Sequence, residues 1–167
     1  MAKVVEVPRG YYARTHEERY RAIMGSGAAF RERDMSEYVR PAWREFVAAT
    51  ELSDGERGVE MGSGTGINAL RMASEGLPMV GLDISPTAVS RAAELADGWG
   101  VDARFVAGYM CAAPFRSDVF DFAANIWTLH AVGEPDLRHR SLVEMWRVLR
   151  PGGRLFLHNE ASREDVD

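Results

Sequence analysis

From Gly58 onward the chain alternates two patterns: short, nearly continuous apolar runs, and longer stretches in which apolar residues recur every three or four positions. The runs at Gly58–Met61, Pro78–Leu82, Ala103–Ala107, Phe120–Ile126 and Arg154–His158 predict five strands. Between them the 3.6-residue period predicts helices from Ile67 to about Glu75, capped by Gly76, and from Pro86 to Gly98 or Gly100, with Ser85 as N-cap and Val89, Ala92, Ala93 and Ala96 on one face. A further helix is predicted over Ser141–Leu149, with Leu142, Met145, Trp146 and Leu149 inward. Upstream, Thr15–Ile23 reads as an amphipathic helix broken by Gly25-Ser26-Gly27. Met35–Thr50 reads as a second helical stretch with a break at Arg40-Pro41. Strand–helix alternation with short connections predicts an α/β fold: a doubly wound, mostly parallel sheet with helices on both faces, preceded by N-terminal helices.

Composition narrows the class. The chain has 167 residues, 46% hydrophobic and 27% charged, as expected for one globular domain. No apolar run approaches the roughly 18 residues of a membrane span, and the N-terminus lacks the apolar core of a secretory signal. Cys111 is the only cysteine, so no internal disulfide can form, and a cytoplasmic location is expected. The formal charge of −5 argues against nucleic acid as a partner. The first fifty residues nevertheless carry nine Lys/Arg against seven Asp/Glu, so the acidity lies downstream. The expected division is an N-terminal helical segment, 1–50, serving as lid or substrate cover, and a main domain, 51–167.

The chemistry concentrates in Val59-Glu60-Met61-Gly62-Ser63-Gly64-Thr65-Gly66. A strand, a turn with no bulky side chains and a helix N-terminus make a backbone cradle with free N–H groups. Asp83 ends the second strand, beside that turn, where a carboxylate can accept the two hydroxyls of a ribose. The pair predicts an adenosine-containing ligand. A nicotinamide site would read Gly-x-Gly-x-x-Gly. Here the glycines fall at alternate positions, 62, 64 and 66, with Glu60 two places earlier.

This pattern resembles the class I S-adenosylmethionine-dependent methyltransferases, whose first strand ends in an acidic residue followed by x-Gly-x-Gly-x-Gly. Val80-Gly81-Leu82-Asp83-Ile84-Ser85-Pro86 is similar to the family's ribose-binding strand end. Ala113-Pro114-Phe115 with Phe120-Asp121-Phe122 resembles its entry to strand four, and Leu149-Arg150-Pro151-Gly152-Gly153-Arg154-Leu155 its turn into strand five. The resemblance covers about residues 55–160. It implies a Rossmann-like fold, S-adenosylmethionine as cofactor, and a cofactor site of Glu60, Gly62, Ser63, Gly64, Gly66, Asp83, Ile84, Tyr109, Met110 and Asn125.

Two departures from the family stand out. Tyr109 occupies the place after strand three where the family often has an acid that accepts from the adenine amino group. Strand five is followed by neither the family's last helix nor its antiparallel hairpin, leaving an exposed sheet edge. Either the sequence is a piece of a longer chain or a partner chain covers that edge, and a homodimer is the expected partner. Methyl transfer from a sulfonium needs position and a dry site, and an oxygen or nitrogen acceptor also needs a base. His130, just past strand four, is the candidate base; His158, at the end of strand five, is a weaker one. Asn125 is not followed by Pro-Pro-Tyr, which argues against DNA and glutamine amino groups as substrates. Trp127 is a candidate pocket floor. The aromatics Tyr11, Tyr12, Tyr20, Phe30, Tyr38 and Trp43 either pack the N-terminal segment onto the domain or line a pocket. No metal-ligand spacing is present. The expected function is methyl transfer to a small-molecule acceptor. The alternatives are a non-catalytic, cofactor-binding assembly partner and a same-fold enzyme of other chemistry such as cyclisation.

Overall fold

The structure, a computed structural model, describes residues 11–25 and 36–159. Ser26 and Gly27 of the predicted helix break, Phe30 and Met35 lie outside the described residues, as do the N-terminal ten residues and the side chains of Tyr11, Tyr12 and Tyr38. The elements in order are α1 (Tyr11–Gly25), α2 (Ser36–Thr50), β1 (Gly58–Met61), α3 (Ile67–Ser74), β2 (Met79–Asp83), α4 (Pro86–Trp99), β3 (Ala103–Ala107), β4 (Phe120–Ile126), α5 (Pro135–Val148) and β5 (Leu149–His158). Short 3₁₀ turns at Met110–Ala112 and Leu129–Ala131 flank β4.

The five strands form one parallel sheet in the order β3-β2-β1-β4-β5. The order reverses direction at β1, so the C-terminal ends of β1, β2 and β4 open a crevice there. β1 is buried along its whole length, Glu60 included, as expected of a central strand covered on both faces. Two apolar clusters cover the sheet. On one face α2 and α3 bring Val39, Trp43, Ala69 and Met72 onto Phe122, Ala124 and Phe156. On the other, α5 brings Met145 and Val148 onto Val59, Met61, Phe120 and Ala123. Trp43 stands 5.7 Å from Phe122 and 5.4 Å from Phe156 between ring centroids, and its indole N–H donates to Glu75. This aromatic therefore packs α2 into the core.

Several details differ from the pattern-based expectation. α2 runs through Pro41 without a break. The proline, in the second turn, removes only the bond to the Glu37 carbonyl, and burial of Val39 and Trp43 on either side holds the helix. On α4 the buried residues are Ala88, Ala92 and Ala96, whereas Ala93 is exposed. The small side chains there gave no preference for one face over another. α5 begins at Pro135, six residues before the predicted start, and its buried positions are Ser141, Met145 and Val148. Trp146 is 73% exposed, because the true stripe lies one position away from it. β5 starts at Leu149, which pairs with Phe120. The register then shifts, so that Arg154 is the partner of Phe122 and the intervening Pro-Gly-Gly bulges out. Among the described residues no helix is long and apolar enough to cross a membrane.

Candidate cofactor and acceptor site

The glycine turn joins β1 to α3 at the crevice. Gly62, Gly64 and Gly66 all have left-handed backbone, with φ of 84°, 53° and 81°. Gly62 also has no room for a side chain, since a Cβ there would stand 2.3 Å from the Thr128 methyl. Thr128 approaches because its hydroxyl donates to the Gly62 carbonyl at 3.0 Å, with the Ile126 carbonyl at 3.1 Å. The turn is thereby stitched to the loop after β4. At Gly64 the nearest atom to a Cβ would be the Tyr20 hydroxyl of α1, at 2.6 Å.

Gly66 is the N-cap of α3 and has no side chain with which to cap it. Glu60 on β1 takes over that role. Its Oε2 accepts the Ala69 N–H at 3.0 Å, and its Oε1 accepts from the Asn68 amide at 3.0 Å. Glu60 is fully buried, and burial pushes its carboxyl up to about 8 against the pull of these two hydrogen bonds. The motif acid thus lies under the turn and holds the helix start in place.

Asp83 ends β2 beside the turn. Its Oδ2 accepts the Gly64 N–H at 2.8 Å and its Oδ1 the Ser85 N–H at 2.9 Å. Burial raises its pKa, opposed by those two N–H donors and by the charge of nearby His16. Each oxygen keeps a further lone pair, so the carboxylate can still accept two hydroxyls at the crevice. Ser63 is buried, and its hydroxyl has no hydrogen-bond partner among the described residues. Left-handed glycines, an orphan hydroxyl and a rim carboxylate with spare acceptor capacity fit a ribose-bearing amino acid.

A methyltransferase domain family matches residues 59–157, more than half of the chain. The chain belongs to this methyltransferase family. A demethylmenaquinone methyltransferase of Renibacterium salmoninarum is 33% identical over 116 residues, covering 69% of this chain and 46% of the relative. An S-adenosylmethionine-dependent methyltransferase of Methanosarcina mazei has a solved structure that superposes with a TM-score of 0.62 at 30% identity, covering 66% of this chain and 55% of that one. The [4+2]-cyclase SpnF superposes with a TM-score of 0.68 at 26% identity, covering 87% and 58%. The chain spans about half the length of the proteins it matches. The cofactor of this methyltransferase domain is S-adenosylmethionine.

The remaining predicted residues fall around that turn. Ile84 is half-buried next to Asp83, and Met110 is half-buried beyond β3. Tyr109 opens the Met110–Ala112 turn and is 45% exposed. Asn125 is fully buried near the end of β4. Its amide N–H donates to the Met61 carbonyl at 2.6 Å, its oxygen accepts the Leu129 N–H at 3.1 Å, and the Met110 sulfur is 3.5 Å from its nitrogen. It joins the end of β1 to the loop that carries His130. His130 is exposed on that loop, with Nδ1 3.3 Å from the Asn159 oxygen. Trp127 has a φ of 51°, a left-handed conformation rare for a bulky residue, and its N–H donates to the His158 carbonyl. The Trp127 and His158 rings lie 5.9 Å apart, and His158 Nδ1 is buried with no hydrogen-bond partner among the described residues. Among the described residues no group of three or more His, Cys, Asp or Glu is placed to hold a metal ion.

Pattern reasoning did not single out Thr128, Glu17 or the position of Tyr20 over Gly64. Thr128 sits two residues past β4, so its proximity to the turn follows from strand order alone. Glu17 and Tyr20 are three apart on a predicted helix, but nothing in the sequence tells where that helix docks.

Proposed function

We propose that this chain transfers the methyl group of S-adenosylmethionine to a small-molecule acceptor. The observation that carries the reading is the pairing of Asp83 with the Gly64 N–H at the crevice, which puts a carboxylate with spare lone pairs beside a glycine backbone. The bound cofactor supplies an electrophilic methyl on a sulfonium that is already a good leaving group. The chain's part is to orient and enclose. In this reading Gly62, Ser63, Gly64 and Gly66 receive the amino-acid end. Asp83 takes the ribose hydroxyls, and Ile84, Tyr109 and Met110 border the adenine. Asn125 fixes the loop after β4, and Glu60 fixes the turn from below. Trp127 walls the acceptor side, and His130 takes the acceptor's proton. Of the segment 1–50, α1 forms the cover, while α2 is packed through Val39 and Trp43 onto the cofactor-binding domain of 51–167.

The Renibacterium relative's name gives a demethylated quinone as its acceptor, which favours a small ring compound here. A second copy covering the β5 edge belongs to the same reading, since Leu157 on that edge strand is 44% exposed. Calorimetry with S-adenosylhomocysteine, followed by a methyl-transfer assay over hydroxylated quinols, phenols and amines, tests the function. Replacement His130→Gln tests the base, with an expected fall in kcat of about 100-fold and loss of the acidic limb of the pH profile. An unchanged profile removes His130 from that role. Light scattering that shows a stable monomer removes the second copy.

A second reading keeps the cofactor site and changes the chemistry. The superposition on SpnF favours it, since that protein is a [4+2]-cyclase on this fold. Cofactor binding with no methylated product over the panel would point that way.

A further inference from the structure

Helix α1 lies across the crevice. Glu17 reaches to the start of α4, 68 residues on in sequence, where its Oε2 accepts from the Ser85 hydroxyl at 2.6 Å and from the Thr87 N–H at 3.1 Å. Its Oε1 accepts from the Thr87 hydroxyl, and Arg21 pairs with the same oxygen at 2.7 Å. Ser85 already caps the Ala88 N–H, and Pro86 has none to offer. Glu17 therefore satisfies the Thr87 N–H, the donor of that first turn left over by Ser85 and Pro86. These donors hold the Glu17 carboxyl far down, at about 2, so it is ionised throughout the working pH range.

One turn further along α1, Tyr20 stands over the glycine turn, its hydroxyl 2.6 Å from where a Gly64 Cβ would be. Burial, and the Asp83 charge, push the phenol up to about 12, so it is neutral there. Among the described residues α1 contributes nothing to the buried apolar core. The helix is held by polar contacts at its face and can lift without exposing core. On the reading that the Gly64 backbone faces the cofactor, Tyr20 in its present position and the cofactor claim the same space.

We propose that α1 is a latched cap: Glu17 on Ser85 and Thr87 is the latch, Tyr20 is the part that closes the cradle, and release of the latch gates cofactor entry. Glu17 is thus a positioning residue that sets how often the site is open. This rests on the cofactor site assigned above.

Stopped-flow mixing with S-adenosylhomocysteine, read by tryptophan fluorescence, tests it on the full chain. Glu17→Ala raises the association rate constant about tenfold, as expected when the open fraction rises by that factor. Thr87→Val, which removes only the hydroxyl, raises it less. Hydrogen exchange checks the fold: the Thr87 amide loses protection while the β1 and β4 amides keep theirs. An association rate within twofold of the parent in Glu17→Ala, with the sheet amides protected, overturns the latch alone. A parent chain that binds no S-adenosylhomocysteine overturns the cofactor site, and the latch with it.

Discussion

The buried Oε2 of Glu60 accepts the amide hydrogen of Ala69 at 3.0 Å, so a strand residue caps the helix that follows it in the chain. The geometry is required by the glycine at the N-cap, which leaves that amide without a local acceptor. A charge in this position is costly, and the folded state keeps the proton up to about pH 8. The unfolded chain releases it near its ordinary value of 4.5. Between those values the folded state binds the extra proton, so this group's contribution is complete below about pH 4.5 and is lost as pH rises through 8. Thermal melts of Glu60→Gln between pH 5 and 9 should show a flatter fall than the parent. Glu60→Ala, which strands the Ala69 N–H, should cost about 1–3 kcal/mol at the acidic end of that range, a cost that shrinks as pH rises toward 8.

The contact between Gly62 and Thr128 makes a second prediction. Gly62→Ala puts a Cβ into the Thr128 methyl and strains a left-handed backbone, at a cost of about 1–3 kcal/mol from the strain alone. Thr128→Ala opens the space but loses its hydrogen bond to the turn. Denaturant melts should find the double variant clearly less destabilised than the sum of the singles. Strict additivity would show that the two side chains do not meet.

Asp83→Asn leaves one oxygen to serve two backbone donors and puts an N–H2 group at the ribose position. Calorimetry should show S-adenosylhomocysteine binding weakened about tenfold or more, through loss of a charge-assisted acceptor. Stability should fall by about 1 kcal/mol, through the mismatch with the Gly64 or Ser85 N–H. Unchanged affinity would remove Asp83 from the ligand's contacts.

In the proposed site Tyr109 puts a bulky phenol beside the adenine, where the family often has an acid. Tyr109→Asp should tighten S-adenosylmethionine binding severalfold in calorimetry. Tyr109 is substantially exposed, so the exchange should leave the melting temperature almost unchanged. Equal affinities would show that the phenol serves adenine as well as an acid does.

The strands, the doubly wound order and the glycine turn were legible because continuous apolar runs and a spaced glycine motif depend on neighbours in sequence. Ser85 and Pro86 announced the start of α4 for the same reason. The errors fall where side-chain volume gave little direction. Ala88 and Ala93 are the same residue, and only the sheet decides which is covered. Trp146 satisfies the helical period yet projects into solvent, because α5 docks through the smaller Ser141, Met145 and Val148. The tolerance of α2 for Pro41 depends on Trp43 finding Phe122 and Phe156, and such long-range contacts leave no local trace. Within the site, Asp83 and the glycines could be read directly. Thr128 could have been placed from the strand order, but Glu17 could not, since nothing local tells where α1 docks on backbone 70 residues away.

Asn125 spends both ends of its amide on the protein, one on Met61 and one on Leu129. The end of β1 and the loop after β4 are thereby held from a single benchmark. Thermal breathing can carry that pair together but has little freedom to alter the gap between them. A change of substrate size would then have to be absorbed elsewhere, by the N-terminal cover or by side chains projecting from the loop. On the proposed reading, one carboxamide sets the spacing between methyl donor and acceptor.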